Sequence, residues 1–228
     1  MTRRTNARIA GYTFLVYIAA TLASITLFAR ATEGDGVAAQ LAAISQHATD
    51  VRLTILLSLL GNFCALVLAV TLYAITREQD RDVAMLALTC RVAEGIAGMD
   101  VSKTLGLLWL ATATDASISD TGTAVSLGAF FLETDTWYAS ATFFAVGSTL
   151  FSWLLLRGRM VPIALAWLGV LASILLVVCL PLQIAELLGG SVTTSMYFPM
   201  LLFEVALALW LIIKGVAAPT PRQPADVL

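Results

Sequence analysis

Charge is what this chain has least of. Only 12% of its 228 residues are Asp, Glu, Lys or Arg, about half the share in soluble domains, so an ordinary water-exposed surface is excluded over most of its length. Histidine occurs once, at His47, in a predicted loop without a cysteine or carboxylate cluster beside it. This excludes the common histidine-based metal sets and paired haem ligands, and no metal or cofactor is expected. The cysteines Cys64, Cys90 and Cys179 form no CxxC pair and lie inside apolar runs. They read as small buried hydrophobes, not as a disulfide framework. A formal net charge of -2 excludes a basic nucleic-acid surface.

What is there is apolar. Hydrophobic residues make up 59% of the chain and the mean hydropathy is +0.89, which belongs to the membrane class. At about 20 residues per span, the length accommodates about six. The expected fold is an all-α polytopic transmembrane bundle, one domain over residues 1–216. Its spans fall at about 9–30, 51–76, 83–112, 137–156, 161–188 and 196–216, and a Pro-rich disordered cytoplasmic tail covers 217–228. The first run, Ile9–Phe28, follows three arginines, and Ala29-Arg30-Ala31 resembles a signal-peptidase site. The run exceeds the usual apolar core of a signal peptide, so it is read as a retained first helix.

Two longer outer loops carry apolar pieces of their own. In residues 31–50, Val37, Leu41 and Ile44 follow helical spacing; in residues 113–135, Ala124–Leu132 is too short to span. Short interfacial helices are expected in both. The third span is long, about 45 Å as a straight helix, and should tilt or bend near Gly95 and Gly98. Arg3, Arg4, Arg8, Arg77, Arg81, Arg157, Arg159, Lys214 and Arg222 fall on one side of this arrangement, against Arg30 and Arg52 on the other. The asymmetry places both termini in the cytoplasm.

Several segments resemble the bacterial membrane family known as domain of unknown function 4386. They are Ala7-Arg-Ile-Ala-Gly11, Arg91-Val-Ala-Glu94, Gly147-Ser148 with Leu154-Leu-Leu-Arg-Gly-Arg159, Pro162 with Leu165-Ala-Trp-Leu-Gly169, and Pro199 with Phe203-Glu204 through Trp210-Leu-Ile-Ile-Lys-Gly215. The Glu204-to-Gly215 stretch is the most specific. The resemblance implies a six-helix bacterial membrane protein and carries no activity with it.

The chemistry-bearing feature is Leu86–Trp109, an apolar segment holding Arg91, Glu94, Asp100 and Lys103. A charge at mid-bilayer costs about 2.5–3.5 kcal/mol on insertion scales, so these side chains need partners or water. Arg91 and Glu94, three apart, share a face and can pair. Glu204 and Asn62 lie at overlapping depths, so one cluster of Arg91, Glu94, Glu204 and Asn62 is expected. Asp100 and Lys103 lie about 120–180° around the helix, which makes this span the expected central helix. With Gln183 and Glu186 they would line a vestibule open to the outer side.

The favoured reading is binding or transport of a small solute, ion or proton through that vestibule, in a bacterial inner-membrane protein whose only other expected partner is membrane lipid. One alternative is a structural or regulatory protein in which the cluster only staples helices. The other is a membrane-embedded enzyme using Glu94 or Glu204 as acid or base, which no Ser-His pair, metal set or phosphate loop supports.

Overall fold

Apolar and small residues three and four apart set one inward stripe on each helix. On α1 (Arg3–Ala31) it runs through Ala7, Ala10, Gly11 and Phe14; on the 29-residue α3 (Ala48–Thr76), through Ala65, Leu68, Ala69 and Leu72. The opposite faces are apolar as well. Phe63 is 64% exposed, Leu171 60% and Ile213 68%, a surface suited to lipid rather than water.

The computed structural model describes residues 2–98, 101–113, 121–133, 137–189, 192 and 195–217. Within them the elements are helical: α1, α2 (Val37–Gln46), α3, α4 (Arg81–Ala97), α5 (Val101–Thr112), α6 (Thr121–Glu133), α7 (Tyr138–Arg157), α8 (Ile163–Ile184) and α9 (Phe198–Ile213). Four of them, α1, α3, α7 and α8, are long and apolar enough to cross a membrane; α4 and α9 have 17 and 16 residues. The chain is a helical membrane protein.

Six helices form a closed ring. α1 packs on α3, α3 on α4, α4 on α7, α7 on α8, α8 on α9, and α9 returns to α1. The core inside it includes Phe14, Leu68, Phe151, Leu176, Met200, Phe203 and Leu207. A satellite cluster of Ala31, Ile44, Val51, Leu107 and Leu108 joins α2 and α5 to the ends of α1 and α3. The short helices expected in both long loops are present as α2 and α6, and α6 rests on α2 and α5.

The expected third span differs in a way that matters. It is two helices, because α4 ends at Gly98, whose N–H bonds back to Glu94 O at 2.8 Å. Asn62 Nδ2 donates to Gly98 O at 3.1 Å and occupies the space a Cβ there would need. Nor is α4 a central helix. It is one stave of the ring, with Leu86 54% and Ile96 62% exposed. Its inward stripe (Ala84, Ala87, Cys90, Arg91, Glu94) is narrow, and Lys103 belongs to α5, beyond the break.

One end of the ring gathers the basic turns. Arg3 pairs with Glu78, Arg157 Nη1 lies 3.6 Å from Asp80 Oδ2, and Ala217 N donates to Met160 O at 3.0 Å. The opposite end carries α2, α5, α6 and an aromatic group in which the Trp137 ring stacks on Tyr138 at 5.0 Å and leans on Tyr197 at 5.7 Å. The tail from residue 218 onward lies outside the described residues.

Candidate functional site

Helical spacing alone brings Arg91 and Glu94 onto one face of α4, and the ring then encloses them. Arg91 Nη1 lies 2.9 Å from Glu94 Oε2, with the two side chains 1% and 5% exposed. Tyr17 of α1 donates its hydroxyl to Glu94 Oε1 at 3.3 Å, and Arg91 Nη1 reaches Ser148 Oγ of α7 at 3.5 Å. The guanidinium also stands over the Phe144 ring, 4.9 Å from its centre, a cation–π contact that gains weight away from water. Gly147 makes this possible, since a Cβ there would meet Arg91 Cγ and Cδ at 3.1 Å.

These contacts leave valences open. Among the described residues, Arg91 Nε and Nη2, Glu94 Oε2 and Glu204 Oε1 are enclosed without a hydrogen-bond partner. Glu94 Oε2 is within ion-pair distance of Arg91, so its vacancy is one of alignment; among the described residues Glu204 Oε1 has no hydrogen-bond partner. Beside it lies a small cavity lined by Arg91, Ser148, Ser152, Glu204 and apolar residues that include Phe14 and Phe203. Its volume is about 10 Å³, close to what one water requires.

Residues 9–215 match the family model described as Domain of unknown function (DUF4386). The chain belongs to that family. No curated protein and no solved structure matches it. In this DUF4386 protein, segments that carried the resemblance meet around the cluster: Arg91, Ser148, Phe203 and Glu204 line the same cavity, with Glu94 paired to Arg91 and Gly147 packed against the Arg91 side chain.

Of the expected cluster, Arg91, Glu94 and Glu204 come together. Asn62 does not join their contacts; it binds the end of α4 at Gly98, one turn beyond Glu94. Among the expected vestibule residues, Asp100 lies outside the described residues. Lys103 is half-buried on α5, which packs on α2, α3 and α6, whereas Gln183 is on α8, which packs on α7 and α9. Among the described residues Gln183 Oε1 is enclosed without a hydrogen-bond partner, and Glu186 is exposed just past α8 in a left-handed conformation, φ +58°. Tyr17 and Phe144 are members of the site that sequence reasoning did not select. The signal available was the deeper of two tyrosine hydroxyls in an apolar helix, Tyr12 carrying the other. Among the described residues no group of three His, Cys, Asp or Glu side chains could hold a metal ion.

Proposed function

We propose that this protein is a six-span inner-membrane protein of bacteria, with both termini cytoplasmic, and that its Arg91–Glu94–Glu204 cluster binds one proton or small cation. The observation that carries this is the unpartnered Glu204 Oε1 beside a water-sized cavity shared with Arg91. Two carboxylates face one guanidinium, so the ionised trio sums to -1, and one proton or monovalent cation brings it to zero. Enclosed charges call for such compensation because water is not there to supply it. A cavity of this size holds a water or small ion rather than an organic solute, and it lends nothing to the enzyme reading for Glu94 or Glu204. Lys103, Gln183 and Glu186 lie toward the same outer end and would supply polar groups along the route by which the ion exchanges.

Proteoliposomes carrying wild type, Glu94→Gln or Glu204→Gln test this by proton and sodium flux under an imposed gradient. Flux in wild type that is lost in Glu204→Gln, with unfolding temperature retained, supports the ion site. A second reading has its own observation: Tyr17 ties the pair to α1 and Ser148 ties it to α7, as a helix staple would require. Absent flux in wild type, with lowered unfolding temperatures in both variants, establishes the staple instead.

A further inference from the structure

The basic end of the ring holds a second site, unconnected with the cluster. α7 closes in a Schellman turn, with Arg159 N donating to Leu156 O at 3.1 Å and Met160 N to Leu155 O at 3.0 Å. The left-handed position of that turn, where glycine is usual, is taken by Arg159 at φ +48°. Gly158 stands one residue earlier, where packing requires it: a Cβ there would meet Gln79 Cγ at 2.9 Å. The chain therefore accepts backbone strain on an arginine at this corner, and such outliers gather where a side chain has a task.

Beside that corner is an open cleft of about 410 Å³, lined by Arg159, Val161, Pro162, Trp210, Lys214 and neighbouring backbone up to Ala217. Both cations are exposed. Among the described residues neither is in an ion pair, while Arg3 and Arg157 at the same end are matched to Glu78 and Asp80. A cation at a helix C-terminus complements the helix dipole, but that role needs no cleft. The cleft wall also includes Pro162, from which α8 starts without a side-chain cap, so its first amides are open to an acceptor. Apolar Val161 and the Trp210 indole complete a lining with one charged rim and one greasy wall.

We propose that this cleft binds the phosphate of an anionic phospholipid, with Arg159 and Lys214 holding the headgroup and Trp210 and Val161 against its glycerol and upper acyl chains. Two unpaired cations over an apolar wall at the end of a membrane helix fit a lipid better than a free anion, which has no use for the wall. The occupant carries one or two negative charges on the headgroup; a zwitterionic lipid is held less well because its own cation opposes Arg159 and Lys214.

The test is thermal unfolding of the full chain in nanodiscs of phosphatidylcholine, with phosphatidylglycerol titrated in, and separately with inorganic phosphate added. Phosphatidylglycerol is expected to raise the unfolding temperature saturably, with the midpoint about fivefold higher in Lys214→Gln and in Arg159→Gly. Arg159→Gly is informative because glycine suits the left-handed turn, so the fold survives while the headgroup contact is lost. Arg81→Gln, which removes an exposed cation outside the cleft, is expected to leave the midpoint unchanged. An equal weakening in Arg81→Gln, stabilisation by inorganic phosphate alone, or no preference over phosphatidylcholine would each overturn the proposal.

Discussion

Arg91 Nη1 lies 2.9 Å from Glu94 Oε2 across a single turn of α4, and neither side chain is more than 5% exposed. A pair this enclosed is costly to separate and not necessarily valuable to keep. Losing one partner strands the other charge, whereas replacing both with apolar groups removes the desolvation cost together with the attraction.

Arg91→Met alone is therefore expected to lower stability by about 3–5 kcal/mol, and Glu94→Met alone by a comparable amount. The double variant should recover much of either loss, leaving Glu204 as the remaining carboxylate. Denaturation of the four proteins in a mild detergent, read as a double-mutant cycle, checks this. Additive losses would mean that the pair is not coupled.

The surrounding hydroxyls are unequal. Tyr17 donates to Glu94 at 3.3 Å, while Arg91 meets Ser148 at 3.5 Å, the outer limit of a useful contact. Tyr17→Phe is expected to cost about 1–2 kcal/mol, since the lost bond serves a charged acceptor away from water. Ser148→Ala should cost under about 0.5 kcal/mol, because its loss strands little. The same detergent unfolding measurement separates them, and a larger effect at Ser148 would reverse the assignment.

The cluster's main members were legible from the sequence because a charge inside an apolar run has few explanations. Arg91 and Glu94 stood out by type, and three-residue spacing put them on one face. Glu204 followed from depth along its helix, and α2 from the spacing of Val37, Leu41 and Ile44. Tyr17 was not legible, since tyrosine is common in membrane helices and its partner is 77 residues away. A bend near Gly95 and Gly98 was legible from the length of the span and its glycines, but the end of α4 at Gly98 was not, because its turn is held by Asn62 from another helix. Treating Lys103 as part of the same cylinder as Arg91 made α4 look polar on several faces, and so central. Once α5 is separate, α4 has one polar stripe and a lipid-like back.

Gly169 offers a packing test free of charge effects. A Cβ at this position in α8 would fall on the Phe203 ring of α9 and reach Ser152 Oγ of α7 at 2.7 Å. Gly169→Ala must push the ring helices apart, and overpacking of this kind costs about 1–3 kcal/mol. Gly189→Ala, where nothing lies within 4 Å, is the matched control and should be near neutral. Comparison of their unfolding temperatures settles whether α7, α8 and α9 meet here as described.

The proposed orientation makes a sharper demand, because it fixes which end of the ring faces which compartment. Arg3, Arg77, Arg81, Arg157, Arg159 and Lys214 sit in the turns and helix ends of one end, which the proposed orientation, following the positive-inside bias, makes cytoplasmic. Gln46 is exposed at the C-terminus of α2, on the opposite end. The native Cys64, Cys90 and Cys179 are buried, so an impermeant maleimide should find little background in intact cells. Gln46→Cys is then expected to label from outside, and Arg81→Cys only after the membrane is permeabilised. Labelling of Arg81→Cys in intact cells would invert the topology. It would also carry the Arg159–Lys214 cleft to the outer leaflet, where its preference for an anionic headgroup could still be measured but would serve a different face of the membrane.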